Sequence, residues 1–245
     1  MQHIKAYIKK IAPNWLLQLK QRNHFKGMNT QQVFTKIYTE NLWGTDNTKT
    51  DFYSGPGSHD HTLVSGYVTA VKIFLETLEN PVNVVDLGCG DFAVGSQIYP
   101  FCNQYTACDI VEPLIKRNQE KFKDTGVNFQ VVNLVTDPLP KGDIVCIREV
   151  LQHLSNEEIQ QAIPKLQAQY RYLILSECLP QNKDFVPNLN ITTGSGIRLH
   201  MGKTGSGVVL TAAPFNLAAK HSQVLFEYPL DNGMLFQTHL YQLGS

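Results

Sequence analysis

Val84-Val85-Asp86-Leu87-Gly88-Cys89-Gly90-Asp91-Phe92-Ala93 is the stretch that decides the fold of this chain. Its apolar run ends at a glycine, which predicts a buried strand followed by a tight turn. Gly88 and Gly90 suit such a turn because glycine adopts positive φ and lets a ligand approach the backbone closely. We expect a helix to follow over Val94–Tyr99, which completes a strand–turn–helix unit.

A second acidic residue strengthens this interpretation. Asp109 ends the next predicted strand, 19 residues after Gly90. An acidic side chain at about this spacing accepts hydrogen bonds from the ribose hydroxyls of a bound nucleoside. Alone, Asp86 could serve only to bind loop amides, and Asp109 only to cap a helix. The pair, in a strand–turn–helix–strand pattern, favours a nucleoside-containing cofactor.

Short apolar segments alternate with helical ones through the rest of the chain. Strands are predicted at 82–88, 104–110, 129–134, 143–148 and 171–177, and helices at 63–78, 113–123 and from the capping pair Ser155/Glu158 onward. This alternation is typical of a parallel sheet with helices on both faces. Asp231-Asn232-Gly233 lies between two further strand-like runs, which predicts a C-terminal hairpin. The fold class is therefore α/β, Rossmann-like, with seven mostly parallel strands and an antiparallel hairpin at the end.

Three regions are predicted: an N-terminal helical arm at 1–30, a cofactor-covering lid at 31–62 and the main domain at 63–245. The arm is amphipathic, with apolar residues at helical spacing interrupted at Pro13. It suits either an anionic membrane surface or packing against the domain. From Phe34 to Thr62 the polar, glycine-containing composition predicts a loop. The apolar positions of the arm are Ile4, Ile8, Ile11, Trp15 and Leu19.

Composition excludes several classes of function. Lys plus Arg and Asp plus Glu both number 21, so no global charge recruits nucleic acid. Five cysteines without CxxC spacing indicate reduced thiols in a cytoplasmic protein. His59 and His61 form the one close histidine pair, and without further ligands no metal site is expected. No apolar run is long enough for a membrane span, and no signal peptide is evident.

VVDLGCGDF resembles motif I of the class I S-adenosylmethionine-dependent methyltransferases, whose sheet ends in a reversed strand within a hairpin. IYTENLWG, SGPGS, DPLPKGDIVCIREVLQHLS and APFNL are similar to segments of a bacterial branch of small methyltransferases, and the likeness extends over most of the chain. The resemblance implies that Gly88 and Gly90 shape the turn under the methionine part of the cofactor, and that Asp86 orders that loop or its waters. Asp109 would bind the ribose.

The resemblance implies further cofactor contacts. Asn133 stands where such enzymes often place an aspartate near the adenine amino group, and its carbonyl can still accept. Ile110 and Leu134 are expected beside the cofactor, as is Arg148 after the fourth strand. Trp43 and Ser58 belong to the predicted lid, where aromatic faces suit a sulfonium. NAD is the rival cofactor, because Gly88-x-Gly90-x-x-Ala93 nominally satisfies the dinucleotide pattern, but Asp86 would put negative charge beside a pyrophosphate.

An oxygen acceptor usually needs a base, because its proton must leave. His153 is the first candidate and Glu149 the alternative or its orienting partner, since residues four apart share a helical face. The alternative is a purely structural role, in which His153 packs against its helix and Glu149 forms a salt bridge. The acceptor is expected to be a small molecule or glycan intermediate, anionic if Arg198, His200 and Lys203 bind it. A catalytically silent cofactor-binding or membrane-peripheral partner subunit is the second hypothesis.

Overall fold

The computed structural model describes residues 14–45, 51–231 and 233–244. Its five α-helices among these residues are α1 (Asn14–His24), α2 (Thr30–Thr39), α3 (His61–Glu76), α4 (Glu112–Lys121) and α5 (Asn156–Gln169). The strands are β1 (Asn83–Leu87), β2 (Gln104–Asp109), β3 (Asn128–Val131), β4 (Ile144–Arg148), β5 (Tyr172–Pro180), β6 (His221–Leu230) and β7 (Met234–Gln242). Within the described ranges, no helix has the length and apolarity needed to cross a membrane.

The seven strands form one sheet in the order β3-β2-β1-β4-β5-β7-β6. The first five pair in parallel, and β7 pairs antiparallel with both β5 and β6. This confirms the predicted fold class, including the C-terminal hairpin. The strand order reverses between β1 and β4, and ligands of open α/β sheets bind outside the carboxyl ends of the strands at such a point.

The sheet is buried on both faces, as the continuous apolar strands predicted. Alternate residues of β5 belong to opposite hydrophobic clusters: Leu173 and Leu175 pack on the side of α5, while Ile174 packs on the side of α3. The α5 helix begins at the predicted capping box, in which Ser155 and Glu158 bond each other's backbone amides. These elements hold the carboxyl ends of β1 and β4 in place.

The helix predicted at Val94–Tyr99 is absent from the described structure. This part of the chain forms two short 3₁₀ turns instead, Gly95–Gln97 and Tyr99–Phe101. Phe92 has a φ of +65°, and its fully buried ring packs directly against Gly95. Pro100 then lacks the N–H that a continuing helix would need. The chain after the glycine turn therefore packs as turns around an aromatic core.

The loop predicted from Phe34 onward begins instead as helix α2. A capping box of Asn29 and Gln32 starts this helix, and Val33, Phe34 and Ile37 form its buried face. Tertiary packing of that apolar face outweighs the polar composition of the segment. The arm is helical over α1, where Leu19 of the predicted apolar face is exposed. Pro13, Ile4, Ile8 and Ile11 lie outside the described residues.

Candidate functional site

A cleft of about 1490 Å³ opens at the carboxyl ends of β1 and β4. It is formed by the loops after these strands, the N-terminal helices and the long segment between β5 and β6. Every residue predicted to bind the cofactor or to act as the base lines this one cleft. They are Asp86, Gly88, Gly90, Asp109, Ile110, Asn133, Leu134, Arg148, Glu149, His153, Trp43 and Ser58.

The turn after β1 has the predicted glycine geometry. Gly88 has a φ of +86° and Gly90 a φ of +55°, conformations that side chains rarely adopt. A methyl group added at Gly88 would overlap Cγ2 of Val150, and one added at Gly90 would overlap Oγ of Ser54. The glycines are therefore required by the neighbouring loops as well as by the turn itself.

Asp109 is buried, and its carboxylate accepts from the backbone amides of Gly90 at 3.1 Å and Val111 at 3.0 Å. The latter contact is local, but α4 has Val111 as its N-cap and no side-chain cap, so Asp109 does not cap that helix. Burial raises the pKa of Asp109 to about 6. Its remaining lone pairs lie at the cleft, where ribose hydroxyls are expected to bind.

Asp86 has no direct hydrogen bond to the glycine loop in the described structure, and its implied role of ordering that loop or its waters stays a prediction. Its carboxylate accepts a hydrogen bond from the Tyr105 hydroxyl at 2.9 Å, across from β2. Burial raises the pKa of Asp86 to about 7, against a smaller opposing effect of that hydrogen bond. The loop amides of Gly88 and Cys89 bond the carbonyl of Cys108 instead.

Ser54 and Asp91 form a reciprocal pair that the sequence interpretation did not include. The Ser54 amide donates to Oδ2 of Asp91 at 3.0 Å, and the Asp91 amide donates to Oγ of Ser54 at 2.7 Å. Tyr38 of α2 bonds the same Ser54 hydroxyl at 3.0 Å. His59 contacts Asp91 at 2.8 Å, so this histidine joins the segment predicted as a lid to the turn after β1. No local pattern identifies the pair, because its members are 37 residues apart.

The ends of β2 and β3 supply the other expected cofactor contacts. Leu134 is buried and Ile110 half-buried at the cleft wall. Oδ1 of Asn133 already accepts from the amide of Val135 at 2.9 Å. The interaction expected with the adenine amino group would therefore use the second lone pair of that oxygen.

Arg148 links the end of β4 to the lid. Its guanidinium donates to the carbonyl of Gly57 at 2.8 Å and lies 3.5 Å from Oγ of Ser58. The aromatic rings of Tyr67 and Phe236 lie within 6 Å of the guanidinium carbon. Arg148 therefore anchors the SGPGS segment within the cleft. The Nε atom of Arg148 is buried and has no hydrogen-bond partner among the described residues.

Glu149 and His153 do not share the face of an α-helix, which corrects the predicted arrangement. Glu149 has a φ of +56°, and only the 3₁₀ turn Leu151–His153 follows it. Non-glycine residues rarely take this conformation, and they cluster at functional sites when they do. The Glu149 carboxylate lies 3.1 Å from the Arg148 guanidinium and accepts from the Cys178 thiol at 3.6 Å.

His153 is buried, and Nδ1 lies 3.2 Å from the carbonyl oxygen of Gly196. A carbonyl can only accept, so Nδ1 carries the proton and Nε2 carries the lone pair. Burial lowers the pKa of His153 to about 4, so the ring is neutral at physiological pH. The ring of Trp43 lies 4.9 Å away, centroid to centroid.

Arg198 was expected to contact an anionic acceptor, and the structure gives it another role. It is 1% exposed, and its guanidinium bonds the carbonyls of Leu189, Leu151 and Leu154. These contacts tie the long segment after β5 to the turn after β4. Lys203 lines the cleft and is exposed.

The acidic side chains at the glycine turn of the cleft fit S-adenosylmethionine better than a dinucleotide. Asp86, Asp91 and Asp109 are buried around the glycine turn, which favours a cationic sulfonium and disfavours a pyrophosphate. Dinucleotide sites place the pyrophosphate at the N-terminus of the helix that follows the turn. Here only the 3₁₀ turn Gly95–Gln97 follows.

Comparison with known proteins gives the same assignment. Residues 84–171 match the family model described as a methyltransferase domain. No curated protein matches the chain in a sequence comparison. Solved structures that share the fold at low sequence identity include the following three. An S-adenosylmethionine-dependent methyltransferase from Leishmania major has a TM-score of 0.58 at 12% identity, covering 89% of each chain.

An N-methyltransferase from Bradyrhizobium japonicum, in complex with S-adenosyl-L-homocysteine, has a TM-score of 0.57 at 10% identity, covering 87% of this chain and 99% of the other. Magnesium protoporphyrin IX methyltransferase from Synechocystis, with bound S-adenosylmethionine, has a TM-score of 0.55 at 17% identity, covering 89% and 99%. At these identities the likeness establishes the fold. The chain therefore contains a methyltransferase domain at residues 84–171, within the Rossmann-like fold that these S-adenosylmethionine-dependent methyltransferases share.

Proposed function

We propose that this methyltransferase acts on a hydroxyl group of a small molecule or glycan intermediate. The observation that carries the proposal is the cleft of about 1490 Å³, in which both base candidates share one space with the expected cofactor residues. Pockets for a single drug-sized ligand measure roughly 300–1,000 Å³. The cleft therefore has room for an acceptor beside the cofactor.

When bound, S-adenosylmethionine supplies an electrophilic methyl group on a positively charged sulfur. The chain's own task is to orient the acceptor in line and to take its proton. We assign the ribose contact to Asp109, the adenine contact to Asn133 and the wall of the cofactor subsite to Ile110 and Leu134. The lid of Trp43 and Ser54–Ser58 would cover this subsite and exclude water.

His153 remains the first candidate for the base. Its Nδ1–H is committed to the Gly196 carbonyl, so Nε2 can accept a proton, and the ring is oriented by its partner as such bases require. Glu149 is the second candidate, although its carboxylate is already paired with Arg148. Its left-handed backbone conformation favours a functional role.

An anionic acceptor is a weaker proposal, because Arg198 is committed to backbone carbonyls. Exposed Lys20 and Lys203 line the cleft and are the groups that could bind such an acceptor.

Peripheral membrane contact through the arm is also a proposal. It predicts that the chain sediments with vesicles of anionic phospholipid but not with neutral ones, and that removal of residues 1–13 abolishes this.

Transfer is tested by incubating the protein with S-[methyl-³H]adenosylmethionine and pools of hydroxylated small molecules and sugar intermediates. We expect labelled product that keeps its label under alkaline hydrolysis, because a methyl ether is stable there whereas a methyl ester releases labelled methanol. Glu149→Gln and His153→Gln are compared with the exposed-site variant Asp124→Asn, and loss of the base should lower kcat by roughly 10²–10⁴. Binding of S-adenosylhomocysteine without any product from these pools would favour the catalytically silent alternative.

A further inference from the structure

The segment Thr192–Gly196 lies between the N-terminal helix and the base candidate. On one side, the Gln21 carboxamide of α1 donates to the carbonyl of Thr192 at 2.7 Å. A methyl group added at Gly194 or Gly196 would overlap the same carboxamide. The two glycines therefore allow the backbone of this segment to pack directly against Gln21.

On its other side, the same segment holds His153 at two points. The Gly194 amide donates to the backbone carbonyl of His153 at 3.1 Å, and the Gly196 carbonyl accepts from Nδ1 at 3.2 Å. The second contact decides which ring nitrogen carries the proton, because the competing tautomer would bring a lone pair against a carbonyl oxygen. The base form of His153 therefore depends on where Gly196 lies.

The segment has an anchor that does not involve Gln21. The Thr193 hydroxyl accepts from the Ser155 amide at 3.0 Å and donates to the Glu158 carboxylate, within the capping box of α5. Glu158 also accepts from Thr30 of α2 at 2.8 Å. Loss of Gln21 should therefore leave the segment attached to α5 while freeing its glycine backbone to shift.

We propose that Gln21 is a positioning residue, which holds the Thr192–Gly196 backbone so that the Gly196 carbonyl keeps His153 in its Nδ1–H form and orients Nε2. This inference rests on the proposed role of His153 as the base. It gives α1 a function in catalysis, because Gln21 of this helix positions Gly194 and Gly196, and these glycines in turn orient the His153 ring. The charged group facing His153 is Arg198, which bonds the carbonyls of Leu151 and Leu154 on either side of it.

The first test needs no acceptor, because imidazole ¹⁵N chemical shifts report the tautomer and the pKa of each histidine. The His153 signal is identified by its loss in His153→Gln. In the native protein we expect a single Nδ1–H tautomer that stays neutral down to about pH 4. In Gln21→Met, which keeps the length of the side chain but donates no hydrogen bond, we expect mixed tautomers and a pKa below the native one, because the weakened hydrogen bond to the Gly196 carbonyl is a contact that raises the pKa.

Gln167→Met is the matched control, because Gln167 also donates to a backbone carbonyl of the same long segment, that of Ala218 at 3.1 Å. It should leave the His153 signal unchanged. If the His153 tautomer and pKa are also unchanged in Gln21→Met, the positioning role is wrong, whatever happens to activity. Circular dichroism confirms that both variants are folded before the comparison is made.

The second test uses an acceptor that gives turnover. We expect Gln21→Met to lower kcat roughly 10-fold with little change in KM, and to move the acidic limb of the kcat–pH profile toward lower pH. Gln21→Asn, which keeps the donor on a shorter side chain, should recover part of the loss. A shifted His153 signal with an unshifted kcat–pH profile would keep the positioning role but remove His153 as the base.

Discussion

The turn after β1 and the turn after β4 lie side by side at one edge of the sheet, yet they are held in different ways. The β1 turn takes positive φ at glycines, and its amides bond Cys108 and Asp109 at the end of the next strand, β2. The β4 turn takes positive φ at Glu149, a residue with a full side chain. Its contacts come from Gly57, 91 residues away, and Gly196, 43 residues away.

This difference explains why one turn can be recognised from a short motif and the other cannot. Glycines within the turn and the neighbouring strand β2 together impose the β1 turn. The β4 turn adopts its form only when the lid, the segment after β5 and the sheet have assembled around it. The two turns then lock together, because Val150 packs in the space that a side chain at position 88 would fill.

The largest expected effect is that the two turns give opposite pH dependence to the free energy of unfolding. The pKa of Asp109 is raised from 3.8 to about 6, so stability is lost as pH rises through this range. The pKa of His153 is lowered from 6.5 to about 4, so stability is lost as pH falls through that range. Each difference corresponds to about 3 kcal/mol.

Urea unfolding between pH 4 and 6.5 checks this prediction. Relative to the native protein, Asp109→Asn should gain stability as pH rises, and His153→Gln should gain stability as pH falls. Each variant also loses hydrogen bonds, which shifts its whole curve by a constant. Curves that stay parallel to the native one across this window would contradict the assignment of the two titrations.

The second prediction concerns cofactor affinity at the β1 turn. Asp109→Asn removes the carboxylate charge and leaves one acceptor oxygen, so its Kd for S-adenosylhomocysteine in calorimetric titration should rise roughly 100-fold, or about 2.7 kcal/mol. The exposed Asp124→Asn serves as control and should bind normally. NAD, titrated in parallel, should not bind; a preference for NAD would overturn the interpretation of the turn.

The smallest effect tests how the two turns lock together. Gly88→Ala and Gly126→Ala both place a side chain at positive φ, but a methyl group overlaps Val150 at position 88 and meets nothing within 4 Å at position 126. We expect losses in unfolding free energy of roughly 2–3 and 1 kcal/mol, respectively. Val150→Ala should recover part of the first loss and none of the second. Equal losses would mean that the turns are independent.

Most of the parallel sheet was predictable because each strand is a short apolar run that ends in a turn signal. The errors have particular causes. The helix expected at Val94–Tyr99 was replaced by 3₁₀ turns because the Phe92 ring packs against Gly95. Helix α2 was missed because its polar residues outnumber Val33, Phe34 and Ile37, whose burial stabilises it. Arg198 was predicted to contact the acceptor, but its guanidinium donates to the carbonyls of Leu151 and Leu154, an arrangement that depends on residues more than 40 positions away.

The sequence alone determined the class of fold, the glycine turn after β1, the placement of Asp109 near it and the C-terminal hairpin. These features depend on residues close in the chain, whose periodicity, glycine content and turn propensity act before any tertiary contact forms. Only the tertiary structure decided the form of the β4 turn, the tautomer of His153, the burial of Arg198 and the contribution of α1 and α2 to the cleft. Those depend on hydrogen bonds and packing between distant segments, which form only when the folded chain excludes water from between them.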